Sequence, residues 1–228
     1  MATLTWLGHA CFLVEHDGTR VIIDPFITGN PKTTLTVKDL PPLNAILVTH
    51  GHGDHLGDAV PLAKQNRKAV LIAPYELAEF CESKGAPNVH PMSIGGAHDF
   101  PFGRVKLVVA VHGGAVEGDD GTHTTHACGY VLKMGGTRFY HCGDTGLMMD
   151  MQLLQGEVDV MLAPIGDNYT MGIEDAARAV GFVKPSIVIP MHFGTFPVIE
   201  VDPMAFVKRV GNLARVVVLR PGESFPAS

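Results

Sequence analysis

Nowhere does this 228-residue chain run through the roughly 20 consecutive apolar residues that a bilayer-spanning helix needs, so no membrane partner is expected. The opening MATLTWLGHACF lacks a basic segment followed by a long apolar one, which argues against a signal peptide. Cysteines are few. Cys11, Cys81, Cys128 and Cys142 are scattered without paired spacing, as reduced and partly buried thiols would be, and the expected location is cytoplasmic. Positive charge is short as well: 17 Lys and Arg stand against 23 Asp and Glu, for a formal net charge of −6. Such a chain has no long-range attraction for a polyanion, and nucleic acid is not an expected partner. Low-complexity tracts and long linkers are also missing.

Apolar residues, by contrast, make up 46% of the chain, enough for a substantial core. The length fits one large domain or two small ones. Short apolar or alternating runs at 3–7, 11–15 and 20–23, separated by Gly8 and by Asp17-Gly18, predict strands, with a further one at 45–48. Asp58 is placed to cap a helix reaching about residue 67. A strand at 69–73 and a helix opened by Pro74 follow. Strands are predicted at 105–111 and 129–134, with a hairpin through Gly135-Gly136 into 137–141. The last third alternates: strands at 158–162, 186–190 and 216–219, helices at 173–183 and 203–211. Ile173, Ala176, Ala177 and Val180 form the apolar stripe of the first of these helices. Leu147-Met148-Met149 is expected in the core. The pattern predicts an α/β fold of two mixed sheets packed together with helices outside, a four-layer αββα sandwich. It would be a single domain over 1–228, its halves meeting near 113–127.

The densest chemistry lies at residues 49–57, THGHGDHLG, where His50, His52, Asp54 and His55 fall within six positions. Imidazole and carboxylate are the ligands that zinc and similar divalent metals take. Residues two apart in an extended segment point the same way, so His50 and His52 can grip one ion while Asp54 and His55 face a second position. Gly51 and Gly53 would let the backbone turn tightly. The strand Ala45-Ile46-Leu47-Val48 leads straight into this loop, so its side chains would stand on rigid structure. A histidine-rich polar surface loop is the plainer reading, and the ligand density argues against it.

A two-metal site needs more donors, and three stretches offer them, each just after a predicted strand: His112, Asp144 in HCGDTG, and His192 in PMHFGTFP. Alone, each has an ordinary explanation as a turn, cap or packing residue. Together they repeat one pattern, an apolar strand followed by a donor beside a glycine or a turn. Strand ends converge in α/β architectures, so residues distant in sequence can meet at one edge.

With WLGHACF, HGHGDH, HCGDTG, PIGDNYTMG and PMHFGTFP in view, the chain resembles the metallo-β-lactamase fold superfamily over nearly its whole length. It is similar in particular to small metal-dependent hydrolases of the ascorbate-6-phosphate lactonase type. The resemblance implies roles. His50, His52 and His112 would hold one metal; Asp54, His55 and His192 would hold the other; Asp144 would bridge them. Two divalent ions per chain are implied, with zinc expected and Mn2+, Ni2+ or Fe2+ compatible. The implied enzyme is a hydrolase in which a hydroxide bridging the two ions attacks a small ester, lactone or phosphoester. Asp54 would be catalytic as well as a ligand, orienting that hydroxide. His9, in Gly8-His9-Ala10, is the second catalytic candidate, to bind substrate, pass a proton to the leaving group, or support a ligand.

Several lesser expectations accompany these. Asp24 would hydrogen-bond a ligand histidine. Asp167, Asn168, Thr170, Thr195 and Phe196 either line the pocket or shape its loops. Cys142 is read as a packing residue beside Asp144, and His123 and His126 as members of a solvated loop. The expected partner is a small-molecule substrate, and a homo-oligomer is compatible. A nucleotide or RNA phosphodiesterase is the nearest alternative. A di-iron redox protein is another, weakened because His52 stands where those proteins would carry an acidic residue and no flavin domain is present. A metal-dependent binding protein without catalysis is a third.

Overall fold

A computed structural model describes residues 1–119 and 121–227. Strands β1 (Ala2–Gly8), β2 (Cys11–His16) and β3 (Thr19–Ile23) form a meander, and β4 (Ala45–Leu47) follows. Helices α1 (Gly53–Leu56) and α2 (Ala59–Gln65) lead to β5 (Val70–Pro74), α3 (Tyr75–Ser83) and β6 (Val89–Met92). Next come β7 (Ala97–Phe100), β8 (Gly103–Val109), β9 (Val116–Gly118), β10 (Gly121–His123), β11 (Cys128–Met134) and β12 (Thr137–His141). The chain then alternates through β13 (Val160–Pro164), α4 (Ile173–Val183), β14 (Ile187–Met191), α5 (Pro203–Val210) and β15 (Arg215–Val216), and closes with β16 (Ser224–Ala227).

Two seven-stranded mixed sheets result, in the orders β16-β1-β2-β3-β4-β5-β6 and β15-β14-β13-β12-β11-β8-β7. The chain passes from the first sheet to the second at residues 93–96, and β16 returns to the first. Alternation along β2 explains the layering. Phe12 and Val14 join the core that includes Val105, Tyr130 and Phe139 of the second sheet. Cys11 and Leu13 join the core formed with Leu62 and Ala63 of α2 and Leu77 and Ala78 of α3. Successive strand residues face opposite ways, so a sheet covered on both faces must be apolar on both. Strands β13 and β14 are buried at every position, as strands in a parallel interior require. This is the expected four-layer αββα sandwich.

Two consequences of topology matter for the site. In the first sheet β1, β3 and β4 run in one direction, because β1 and β3 each lie antiparallel to β2 and β4 lies parallel to β3. In the second sheet β8, β12 and β14 share a direction for the same reason. Every strand that precedes a candidate ligand therefore ends at the same side of its sheet.

Differences from the sequence reading cluster at sheet edges. β6 and β16 carry Pro91 and Pro226, which cannot donate to a ladder and are tolerated at edges, so neither run reads as a strand. β7, AHDF, is mostly exposed and has no apolar alternation to detect. The strand expected at 216–219 shrinks to Arg215–Val216, again an edge. Asp58 starts α2 without capping it; its Oδ2 instead accepts hydrogen bonds from Ile27 N at 3.1 Å and Thr28 N at 2.7 Å. Of the 147–149 triplet, Leu147 and Met148 pack against the core, but Met149 is 64% exposed on a 3-10 turn. Gly135 and Gly136 do form the hairpin turn, with φ of 60° and 84°. Among the described residues no helix is long and apolar enough to cross a membrane.

Candidate metal centre

His9 follows β1, Asp24 follows β3, His50 lies just past β4, His112 past β8, Asp144 past β12, and His192 directly after β14. All six come from the strand ends that the topology sends to one side. Asp54 and His55 join them from α1, whose first turn begins immediately after His52. The structure brings together all seven residues expected to bind metal, and His9 with them.

Their donor atoms form three overlapping groups, each within 4.8 Å: His50, His52 and His112; His50, His55 and Asp144; His9, Asp54, His55 and His192. In the first group His50 Nε2 lies 3.0 Å and His112 Nε2 3.3 Å from His52 Nδ1. Asp144 stands between the first and third of these groups. Its Oδ1 is 3.3 Å from His55 Nε2, and its Oδ2 is 3.0 Å from His192 Nε2 and 3.5 Å from His112 Nε2.

Asp24, at the end of β3, sets the orientation of this cluster. It is fully buried and accepts from Thr49 N at 2.8 Å, Thr49 Oγ1 at 2.7 Å and His55 Nδ1 at 2.7 Å. Because the Thr49 hydroxyl donates to Asp24, it must accept from His50 Nδ1, 3.0 Å away. One carboxylate therefore holds the protons of both His50 and His55 on Nδ1 and leaves both Nε2 atoms facing the cluster. His141, also buried, is committed elsewhere: Nε2 donates to Ala10 O at 2.8 Å and Nδ1 accepts from Gly143 N at 3.1 Å.

Charge follows from burial. Desolvation pulls His50 and His112 below the ordinary histidine range, and both are neutral at pH 7, the form that can bind a metal. Burial alone would lower His55 too, but Asp144 and Asp24 on either side outweigh it and hold His55 well above its usual value, so without a cation its Nε2 carries a proton, which a bound cation would displace to free that lone pair. Burial would raise Asp144, yet the charges of His55 and His192 keep it well below the usual carboxylate range. His9 is driven down to about 4 by burial and is neutral.

Whether a divalent cation fits can be judged from the unpaired atoms. His9 Nε2, His55 Nε2, Asp144 Oδ1 and both ring nitrogens of His192 are buried without a hydrogen-bond partner among the described residues. Such atoms cost roughly 1–3 kcal/mol each when left unsatisfied. His9 Nε2, His55 Nε2, Asp144 Oδ1 and His192 Nε2 stand 3.0–3.3 Å from other donor atoms of the cluster yet are not aligned for hydrogen bonds. Lone pairs that converge without pairing are what a cation resolves. Imidazole and carboxylate donors are also the right chemistry for zinc and its neighbours.

The reading of the two loop glycines changes, whereas Cys142 packs as expected. Neither Gly51 nor Gly53 takes a positive φ. Gly51 is needed for close approach, since a Cβ there would lie 2.7 Å from Val116 Cβ and 2.8 Å from Gly114 O. The turn is made at Gly57, φ 41°, where a Cβ would meet Pro25 O at 2.5 Å. Cys142 belongs to the core, its thiol pushed up by burial, and makes no contribution to the cluster. His123 packs on Phe80 at 5.1 Å, and His126 borders a separate groove with Tyr75 and Glu76.

The cluster opens into a cavity of about 440 Å³. His52, Asp54, His112, Asp144 and His192 form its polar part; Tyr169, Phe196 and Val198 form the rest. Phe196 is among the residues the sequence marks as candidates to line the pocket; Tyr169 and Val198 are not. Asp167 and Asn168 shape the turn before Tyr169, with φ of 59° and 50°, and do not line the cavity. Thr195 reaches His9 instead, Oγ1 to Nδ1 at 2.9 Å.

With this geometry in place, comparison with known proteins is informative. Residues 3–192 match the family described as the beta-lactamase superfamily domain. A UPF0173 metal-dependent hydrolase of Heliobacterium modesticaldum is 47% identical, over 98% of this chain and 97% of its own. Another from Desulforamulus reducens is 47% identical over 96% and 97%. Among solved structures, the metallo hydrolase Igni18 of Ignicoccus hospitalis superposes with a TM-score of 0.88 at 35% identity, covering 98% of this chain and 97% of that one.

Proposed function

The chain belongs to the β-lactamase superfamily and is a metal-dependent hydrolase, and from that premise we propose that it works with two divalent ions, zinc by preference, on a small ester, lactone or phosphoester. His50, His52 and His112 would hold one ion, Asp54, His55 and His192 the other, with Asp144 between them. When bound, the ions supply Lewis acidity and a water acidic enough to act as nucleophile at neutral pH. The observation that carries this reading is the convergence of donor atoms from five strand ends and the 52–55 segment on one solvent-reached cavity, with those of His9, His55, Asp144 and His192 buried and unpaired among the described residues.

The protein's own groups then have distinct tasks. Asp54, its side chain 30% exposed and lining the cavity, can orient the attacking water. His9 is fully buried and does not line the cavity, so it acts as a positioning residue. Its Nε2 stands 3.2 Å from Asp54 Oδ2, its Nδ1 is held by Thr195, and its backbone carbonyl accepts from His192 N at 3.1 Å. Asp24 keeps two imidazoles in the ligating tautomer. We treat residues 1–228 as one hydrolase domain, and the four buried, unpaired cysteines support a reducing, cytoplasmic setting.

Metal content per chain, measured by mass spectrometry on untagged protein purified without added metal, tests the proposal together with the Asp144→Ala and His50→Ala variants. About two equivalents of metal in the parent chain, reduced in both variants along with ester or lactone turnover, is the expected result. No stoichiometric metal after reconstitution, or full turnover by metal-poor Asp144→Ala, would overturn it.

A further inference from the structure

The cavity's composition bears on what it admits. Two of its walls are large apolar side chains left open to solvent: Tyr169 is 56% exposed and Val198 52%. Both are presented by local backbone rather than left over from packing. The left-handed pair Asp167-Asn168 turns the chain just before Tyr169. Pro197 starts the 3-10 turn that carries Val198, while its neighbour Ile199 is fully buried and anchors that turn. Phe196 completes this wall and also packs edge-on against His9, ring centres 5.7 Å apart. An exposed apolar surface beside a set of buried polar groups is the usual form of a small-molecule subsite.

The same cavity offers nothing to a remote anion. Among the described residues no Lys or Arg lines it. Lys32 approaches Gly194, but the Glu200 carboxylate faces the same spot, and neither lines the cavity. Beside Tyr169 the surface turns acidic: Asp167, Glu174 and Asp175 border the adjoining groove, and the last two occupy the first turn of α4. Carboxylates there cancel the attraction that a helix N-terminus would hold for a phosphate. A phosphate or carboxylate away from the scissile bond would lose its hydration and gain no charge-assisted hydrogen bond.

We propose that Tyr169, Phe196 and Val198 form the subsite for the part of the substrate beyond the scissile bond, and that this part is uncharged and apolar. The substrate class is then an aryl or alkyl carboxylic ester or lactone, and not a sugar phosphate or nucleotide. This rests on the metal-hydrolase reading above and narrows it. A cavity of about 440 Å³ is toward the small end of small-molecule sites, which span roughly 300–1,000 Å³.

The test separates head from tail. Three hydroxamates share one metal-chelating head and differ in tail: methyl, benzyl, and a propyl chain ending in a phosphonate. Their dissociation constants are measured by calorimetry on the metal-loaded protein and on its Tyr169→Ala and Val198→Ala variants, both exposed positions whose truncation leaves the core intact. The benzyl tail is expected to bind roughly tenfold tighter than methyl, the size of effect an apolar pocket contact gives. That gain should fall in both variants, while methyl affinity and metal content stay unchanged. Tighter binding of the phosphonate tail than of methyl would overturn the inference and leave the metal reading standing. So would a benzyl gain that survives both truncations. Failure of all three hydroxamates to bind would mean the metal reading itself has failed, and this inference with it.

Discussion

Replacing Asp24 with Asn changes one oxygen of a fully buried carboxylate and should damage both the fold and the metal site. Asn tolerates the left-handed backbone at this position, φ 48°, so no conformational penalty confuses the result. The Asp24 carboxylate receives three donors and offers none. An amide nitrogen placed at Oδ2 would confront the Thr49 hydroxyl and His55 Nδ1–H. His55 could answer only by moving its proton to Nε2, the atom 3.3 Å from Asp144 that must carry a lone pair. Placed at Oδ1, the nitrogen would confront Thr49 N–H instead and strand a buried backbone donor, at a cost of about 1–3 kcal/mol. Each kcal/mol moves the melting temperature of a chain this long by about 2–4 °C. The metal-free variant should therefore melt roughly 2–12 °C below the parent protein. Metal affinity should fall about 10–100-fold, as it does when a carboxylate supporting a ligand histidine is altered. Differential scanning calorimetry of metal-free protein and a competition titration with a chromophoric chelator measure the two effects separately. A lowered melting temperature with unaltered metal affinity would refute the tautomer argument and leave Asp24 a purely structural residue.

Gly51→Ala should displace the His50–His52 segment from Val116 and Gly114, costing about 1–3 kcal/mol in urea denaturation and lowering metal content; an unchanged variant would show that the 114–116 loop yields freely. Thr195→Val keeps shape but removes the hydroxyl from His9 Nδ1. It should lower kcat about tenfold with metal content and KM unchanged, and a change confined to KM would place His9 on the substrate instead. Asp159 accepts from Arg138 N, Nε and Nη2, and the guanidinium hydrogen bonds first, against a smaller opposing effect of burial, hold its carboxyl below the usual range. A depressed folded pKa stabilises above the unfolded value and loses that effect as pH falls through the folded one. Asp159→Asn should thus cost under about 1 kcal/mol at pH 7, given how exposed the pair is, and progressively less in acid; an equal loss at both pH values would make the effect one of packing.

How far the sequence could carry this reading depended on the kind of residue. A metal site restricts its members to a few types and places them where strands end, so the proposed ligands His50, His112, Asp144 and His192 stand out against apolar runs such as Val108-Val109-Ala110-Val111. Central strands and α4 were equally plain, because burial on one or both faces leaves a periodic trace. Tyr169 and Val198 left none: an apolar residue that faces a cavity looks in sequence like one that faces the core. Met149 shows the converse, an apolar residue in an apolar triplet that the fold leaves exposed. Edge strands were missed because one neighbour is enough to form them and solvent tolerates any side chain on the rest. Asp58 and Gly51 were assigned the commonest local task of their type, a cap and a flexible turn. Their actual partners, Thr28 and Val116, are 30 and 65 positions away.

The backbone at the site explains why these two sheets meet where they do. His9, Asp24 and His192 each directly follow a strand, and each adopts the left-handed conformation, with φ of 56°, 48° and 54°. For residues other than glycine this costs roughly 1–2 kcal/mol apiece. Glycine would satisfy the turn more cheaply at all three positions, so the side chain must repay the strain. The turn itself explains the repayment. Along a strand, side chains alternate between the two faces; a left-handed residue at its end breaks that alternation, and here His9 reaches Thr195, Asp24 reaches Thr49 and His55, and His192 reaches Asp144. The His192 amide then donates to the carbonyl of His9, and the His141 ring donates to that of Ala10, so the first turn of the chain is fastened to the ends of β14 and β12. The contacts that join the sheets at this edge are the contacts that aim the donor atoms. A substitution that loosens sheet packing here will therefore register in metal binding before it registers in global stability, and backbone amide exchange at His192 should report it first.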